Sequence, residues 1–125
     1  MKLLFPKSES GRSQIIDEMN DYHIVPTDQY KRKIRKEMIL LEEKPLAESI
    51  RNKRVIKLKG TGKVDIYELR IKASTNMAYR LFFAIRSAGY IALHFFLKKS
   101  NNYKTSILIA TQRIQKYDQN QHDNK

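Results

Sequence analysis

The spacing of apolar residues changes twice along the chain, from a helical repeat to strict alternation and back again. Residues 13–22 form a short polar segment that carries Ile15, Ile16 and Met19 on one side. A stronger helical pattern follows, in which Thr27 or Asp28 can cap the start and Pro45 lies just beyond the end. Its apolar residues recur at helical spacing: Tyr30, Ile34, Met38 and Leu41. The pattern therefore predicts two N-terminal helices.

The middle of the chain alternates with a period of two, which is typical of strands with two different faces. We predict four strands joined by short turns, over residues 55–59, 66–72, 78–86 and 90–98. In the second strand Tyr67, Leu69 and Ile71 point one way, and the opposite side carries Glu68, Arg70 and Lys72. The fourth strand is almost continuously apolar, which predicts an interior strand that is buried on both faces.

The helical repeat returns after residue 102, where Thr105 or Ser106 can cap a helix whose sheet-facing residues would be Leu108, Ala110 and Ile114. Residues 2–5 can add an edge strand. The sequence thus predicts one α+β domain over residues 1–117, with two N-terminal helices, a four-stranded, mainly antiparallel twisted sheet and a C-terminal helix. We expect the helices on the apolar face of the sheet, a basic surface on the other face, and a polar flexible tail over 118–125.

Charge narrows the class of partner. The 125 residues include 25 Lys and Arg against 13 Asp and Glu, for a net charge of +12. Residues 51–72 hold eight basic and two acidic side chains, and residues 98–125 hold six and two. A basic excess of this size favours a polyanionic partner, either nucleic acid or an acidic protein.

Two absences in the sequence limit the chemistry and the expected location. The chain has no Cys, and its three His residues (His23, His94 and His122) are far apart, so we predict no disulfide and no metal site. No stretch approaches the roughly 18 apolar residues of a spanning helix. We expect a soluble cytoplasmic protein.

Residues 55–117 resemble the RelE/HigB/ParE superfamily of toxins, and in particular its phage-related HigB-like branch. Four segments carry the resemblance by their order and spacing: 66–71, 78–82, 91–99, and a helix that contains Ala110 and ends at 113–117. The resemblance implies a RelE-like fold and the toxin of a type II toxin–antitoxin system. It also implies a metal-independent mRNA endoribonuclease that needs no cofactor, acts on the ribosome and inhibits translation. The implied partners are mRNA, the ribosome and a cognate antitoxin, a helix-turn-helix DNA-binding protein similar to HigA.

Members of this superfamily cleave RNA by attack of its own 2′-hydroxyl on phosphorus, which leaves a cyclic phosphate. Such a reaction needs a proton acceptor, cations that stabilise the phosphorane and an acid for the departing 5′-oxygen. By resemblance Arg80 matches the Tyr-Arg position of the family, Arg70 matches a basic strand position, and Lys98 and Lys99 match a basic pair after the last strand.

RelE itself carries a Tyr in the final helix where this chain has Ile107, so Tyr103 or His94 would have to replace it. We therefore expect five catalytic residues: Arg80, Arg70, Lys98, His94 and Tyr103. We expect the RNA backbone to be bound by Lys57, Lys59, Lys72 and Lys99.

Each of these residues also has a plain structural interpretation. Arg70 and Arg80 can form an ion pair with Glu68 or Asp65, and His94 can be a hydrogen-bonded histidine inside a buried strand. Tyr103, Lys57 and Lys59 can simply be solvated. At the level of function, the alternatives are a ParE-like toxin that binds DNA gyrase without nuclease activity, and a nucleic-acid-binding module without catalysis.

Overall fold

The computed structural model describes residues 1–123, which form five strands and four helices. In chain order the elements are β1 (Leu3–Leu4), α1 (Gln14–Asn20), α2 (Asp28–Glu43), α3 (Leu46–Arg51), β2 (Val55–Lys57), β3 (Tyr67–Ser74), β4 (Met77–Arg86), β5 (Gly89–Leu97) and α4 (Lys104–Asp123). The predicted α+β class and order of elements are confirmed.

The five strands form one mixed sheet in the order β1-β5-β4-β3-β2. Strands β2 to β5 form an antiparallel meander, as predicted. The additional strand near the N-terminus is present as β1, which pairs in parallel with β5 through Leu3 and Leu4. Strand β5 lies between β1 and β4 and is buried over most of its length, which confirms it as an interior strand.

The two predicted N-terminal helices are confirmed, the second with its predicted cap at Thr27 and the first with a cap at Ser13 that was not predicted. The Ser13 side chain accepts a hydrogen bond from the Ile16 N–H, and the Thr27 side chain accepts one from the Tyr30 N–H. A third helix, α3, was not predicted. It begins directly after Pro45, because the fixed φ of proline (−58°) suits the start of a helix as well as the end of the previous one.

Both faces of the sheet are covered, so the prediction of helices on one face and a basic surface on the other is wrong. On one face α1 and α2 pack Ile15, Ile34 and Leu41 against strand residues that include Leu69 and Tyr79. On the other face α4 packs Ala110 and Ile114 against Phe82, Ala84, Ile91 and Leu93. The reason is that β4 and β5 carry apolar side chains on both sides, and both sides must be removed from water.

Helix α4 differs from the prediction at both ends. Leu108 is 57% exposed and does not face the sheet, because it lies two positions before Ala110 and therefore on the opposite side of a helix with about 3.6 residues per turn. Residues 118–123 of the predicted polar tail continue the helix, and Asp118 pairs with Arg86 of β4 at 2.8 Å. Residues 124 and 125 of that tail lie outside the described residues.

Within residues 1–123, no helix is both long and apolar enough to cross a membrane.

Strand β1 docks where β5 begins with a glycine. The Gly89 backbone has φ +148°, a region that side chains disfavour, and a Cβ there would collide with the carbonyl oxygen of Lys2. The next N–H, of Tyr90, donates to that same oxygen at 2.9 Å. The glycine thus allows β1 to approach closely enough to pair.

We expect Gly89→Ala to lower the free energy of unfolding by roughly 1–3 kcal/mol more than Gly62→Ala, because only the first overpacks a contact. Gly62 is the matched control, since it also has positive φ (+71°) but has nothing within 4 Å of an added Cβ. Urea unfolding gives the energies. Amide exchange of Tyr90 should accelerate only in Gly89→Ala, and equal stabilities for the two variants would contradict this account of β1.

Candidate functional site

The antiparallel register brings the two predicted arginines side by side. Arg70 of β3 lies opposite Arg80 of β4, and Arg80 in turn lies opposite Phe96 of β5. The neighbouring row across the same strands is Glu68, Phe82 and His94. Because side chains alternate along a strand, all six residues lie on the face of the sheet that α4 covers.

Glu68 lies between the two arginines and binds both. Its Oε1 accepts a hydrogen bond from Nε of Arg70 at 3.0 Å, and its Oε2 lies 3.7 Å from Nε of Arg80. The Glu68 side chain is 2% exposed, Arg80 is 8% exposed and Arg70 is 43% exposed. The ion pair with Glu68 that the sequence left open is therefore present. Of the two arginines that it involves, Arg80 is buried and Arg70 is accessible.

Tyr103 belongs to the same cluster. It lies just before α4, and its hydroxyl oxygen accepts a hydrogen bond from Nε of Arg80 at 3.2 Å. Its ring packs edge-on against Phe82 and Phe96, with centroid distances of 5.5 and 5.7 Å. Since Arg80 is the donor, the hydroxyl hydrogen of Tyr103 is left for another acceptor.

Burial raises the pKa of the Tyr103 phenol above the ordinary value of 10.0, and the neighbouring Glu68 carboxylate raises it further, while the hydrogen bond and the charge of Arg80 act in the opposite direction. The net effect is an increase. The phenol is neutral at physiological pH, as it would be with its ordinary pKa, and the increase extends this neutral range to higher pH.

His94 is held at the border of this cluster by a residue far away in sequence. Its Nδ1 lies 2.9 Å from Oε2 of Glu18 in α1, and its ring stacks on Phe96 with a centroid distance of 5.1 Å. Glu18 also accepts hydrogen bonds from the Phe95 N–H and from Arg113. The hydrogen-bonded histidine that the sequence left open is present, although its second ring nitrogen is not used by this contact.

The predicted lysines divide between two places. Lys72 lies opposite Ala78, whose carbonyl accepts the Lys98 N–H at 2.8 Å. The backbones of Lys72 and Lys98 therefore lie on either side of Ala78, two positions before Arg80 along β4. Lys99 follows directly and is exposed. Lys57, in contrast, lies opposite Tyr67, whose ring packs on the face that carries α1 and α2, so the structure does not bring Lys57 to Arg80.

Lys57 pairs instead with Asp65 at 3.5 Å, and both side chains are largely exposed. Lys59 lies beyond the end of β2 and is exposed. These two lysines are therefore separate from the cluster of Glu68, Arg70, Arg80 and Tyr103, which we call the arginine cluster.

No site role was predicted for Glu68, Glu18 or Arg113. A signal for Glu68 existed, because it is the one acid beside two basic residues, Arg70 and Lys72, on the charged side of its strand. Glu18 had none, since 76 residues separate it from His94. Among the described residues, no group of three or more His, Asp or Glu side chains is placed to hold a metal ion.

We expect Glu68→Gln to destabilise the fold by about 3–5 kcal/mol, because the buried Arg80 guanidinium would lose its countercharge. Asp65→Asn is the matched control. It also removes one carboxylate from an ion pair, but an exposed one, and should change the stability by less than about 0.5 kcal/mol. Chemical denaturation measures both, and a Glu68→Gln variant as stable as the control would disprove the buried ion pair.

The raised pKa of Tyr103 predicts a specific alkaline behaviour. Because the pKa is higher in the folded state than in the unfolded one, the neutral phenol contributes stability that is present below pH 10 and is lost as the pH rises through the folded value. Ultraviolet titration of the wild type minus Tyr103→Phe should show one phenol that ionises above 10. The wild type should also lose stability relative to this variant in that range, and a difference titration at or below 10 would contradict the burial of Tyr103.

Comparisons with known proteins place these residues in a family. A search of curated proteins finds no match. The family model described as "Phage derived protein Gp49-like (DUF891)" matches residues 25–115, well over half of the chain. The matched span contains the whole arginine cluster and His94 but begins after Glu18. This family is related to the RelE/HigB toxins, as the sequence resemblance predicted. The chain therefore belongs to the phage-derived Gp49-like family.

Proposed function

We propose that this protein is the toxin of a type II toxin–antitoxin system and a metal-independent mRNA endoribonuclease that acts on the ribosome and inhibits translation. One observation carries the proposal: an accessible arginine, a buried arginine and a neutral phenol meet around a single carboxylate on one face of the sheet. These are the cation and the proton carriers that 2′-hydroxyl attack on phosphorus requires.

The exposure of each residue suggests its role. Arg70 is the accessible cation, and its planar guanidinium can bind two oxygens of the scissile phosphate. Arg80 is buried and donates a hydrogen bond to the Tyr103 hydroxyl. It would therefore position Tyr103 as the acid and add positive charge to the site. Lys72, Lys98 and Lys99 lie along the same border of the sheet, where they can bind neighbouring phosphates.

The proposed reaction balances without an added reactant. The 2′-oxygen forms a bond to phosphorus and the bond from phosphorus to the 5′-oxygen breaks, which leaves a 2′,3′-cyclic phosphate and a 5′-hydroxyl end. Tyr103 donates its proton to the departing 5′-oxygen. The 2′-hydroxyl proton passes to a basic group at the site.

Two groups can accept that proton. Within residues 1–123, Oε2 of Glu68 is buried without a hydrogen-bond partner, and a phosphate that binds Arg70 would compete with Oε1 for the guanidinium. His94 offers the ring nitrogen that Glu18 does not bind. Glu68 is the stronger candidate, because it already contacts both arginines of the cluster.

The exposed basic residues of the proposed toxin require a partner that binds them. Arg70, Lys72 and Lys99 are exposed cations that would bind cellular RNA non-specifically. We propose a cognate antitoxin with an acidic surface that occupies them, and a helix-turn-helix protein similar to HigA is the partner that the resemblance implies.

A second candidate is a nucleic-acid-binding protein that does not cleave. It is favoured by one observation, namely that Arg80 and His94 are both nearly buried and already paired with carboxylates. In this case the accessible cations would bind phosphates and the arginine cluster would only stabilise the fold.

The deciding experiment maps mRNA 5′ ends in a translating extract. We expect cuts within codons for the wild type, a roughly 100-fold or greater loss of cleavage for Arg70→Ala, and a similar loss for Tyr103→Phe. Arg35→Ala is the matched control for charge, because Arg35 is an exposed arginine of α2, on the other side of the sheet, and should leave cleavage unchanged.

Arg70→Ala and Tyr103→Phe are preferred to Arg80→Ala, which would leave the buried Glu68 without its second cation. Cleavage by both variants at the wild-type rate would refute the assigned site. Intact mRNA that binds the protein would favour the second candidate. Intact mRNA together with inhibited DNA gyrase would point to ParE-like action.

A further inference from the structure

A concave site lies apart from the arginine cluster. It is a cavity of about 300 Å³ between the segment that precedes α1, strand β5 and the second half of α4. Its floor contains the buried residues Ile15 and Ala92. No member of the arginine cluster lines it, so a ligand can occupy it whether or not the cluster cleaves RNA.

The α4 wall of this cavity is a polar stripe. The helix contributes residues at intervals of three and four, which places them on one side of it: Arg113, Lys116, Tyr117, Asn120 and Gln121. The neighbouring stripe, with Ala110 and Ile114, is buried against the sheet. These polar side chains therefore do not face bulk water alone. They line a cavity whose floor is apolar.

The charged side chains that line the cavity are all basic. Lys7, Arg113 and Lys116 line it, and no carboxylate does so within the described residues. Arg113 is anchored through Nη1, which donates to Glu18 and to the Leu93 carbonyl. Those are its hydrogen bonds within residues 1–123, so the N–H groups on Nε and Nη2 are left for a ligand. Three cations around a concave space, one of them fixed, are suited to a phosphate group.

We propose that this cavity binds a single nucleotide. The phosphate would contact Lys7, Arg113 and Lys116, and the base would lie against the Tyr117 ring, since stacking on an aromatic side chain suits every base. A volume of about 300 Å³ is at the lower end of small-molecule sites, which suits one nucleotide rather than a strand. The nucleotide can be free or the end of an RNA chain, because both present the same groups.

Arg113 connects this site to His94. Its Nη1 lies 3.1 Å from each carboxylate oxygen of Glu18, and Glu18 contacts Nδ1 of His94 at 2.9 Å. A phosphate that binds the Arg113 guanidinium would weaken the hydrogen bonds from Arg113 to Glu18 and so alter the contact of Glu18 with His94. Occupancy of the cavity is therefore expected to shift the His94 resonances even though His94 does not line it.

Amide and imidazole NMR shifts on the full chain test the proposal, with adenosine 5′-monophosphate, adenosine and inorganic phosphate as probes. We expect the monophosphate to bind with a Kd on the order of 0.1–1 mM and at least about tenfold more tightly than either part alone. The shifts should concentrate at Ala92, Lys116 and Tyr117. Lys116→Gln should weaken binding about fivefold or more, and Lys36→Gln, an exposed lysine of α2, should not change it.

A trinucleotide with a 5′-phosphate distinguishes the two sources. The same shifts with this probe identify the end of an RNA chain as a ligand, and shifts with the monophosphate alone identify a free nucleotide. The proposal is overturned by no binding at about 10 mM, by shifts centred on Arg70 and Lys98, by unchanged affinity in Lys116→Gln, or by inorganic phosphate that binds as tightly as the nucleotide. Loss of mRNA cleavage has no bearing on any of these outcomes.

Discussion

The open outer edge of β5 is the constraint on which the rest of the structure depends. Strand β1 pairs only with Tyr90 and Ile91, which leaves the remainder of that edge without a neighbouring strand. Glu18 accepts the Phe95 N–H at 3.1 Å, and Arg113 donates to the Leu93 carbonyl at 2.8 Å. Because buried backbone groups must be paired, this carboxylate and this guanidinium take the place of a sixth strand. Since they also bind each other, they fix α1 and α4 to the same edge.

The two-sided burial of the sheet explains why the cluster contains one hidden and one accessible arginine. Helix α4 and Tyr103 cover Arg80, whereas Arg70, one strand further towards the β2 edge, is only partly covered. A buried guanidinium requires a countercharge, and Glu68 provides it from the adjacent position on β3. The same carboxylate limits how freely Arg70 can bind another anion. Stability and ligand binding therefore compete for one group.

The sequence predicted what local periodicity determines. Alternation assigned Tyr67, Leu69 and Ile71 to one core, and the cap at Thr27 follows local rules of helix termini. It failed where burial depends on a neighbouring layer. Phe82 shares the side of β4 that carries Arg80, where a basic surface was predicted, although Phe82 is part of a second core. Long-range pairs such as Glu18 with His94 have no periodic signature, because the fold alone brings them together.

Resemblance and geometry were complementary at the site. Arg70 and Arg80 were selected by their positions in a family pattern, and the β3–β4 register makes them neighbours. Lys57 was selected by its charge and its place on an exposed strand face, and that face is on the other side of the sheet from Arg80. Charge thus identified basic residues as a group, whereas strand register determined which of them lie close enough to bind the same ligand.

The position of Tyr103 has a dynamic consequence. Its carbonyl accepts the Ile107 N–H, one of the first hydrogen bonds of α4, so the phenol is attached to the first turn of that helix. Terminal turns of a helix open at a lower free-energy cost than the strands of a sheet. Opening of this turn would therefore separate Tyr103 from Arg80 while the sheet stays intact. The order of the first turn of α4 and the geometry of the arginine cluster thus depend on each other.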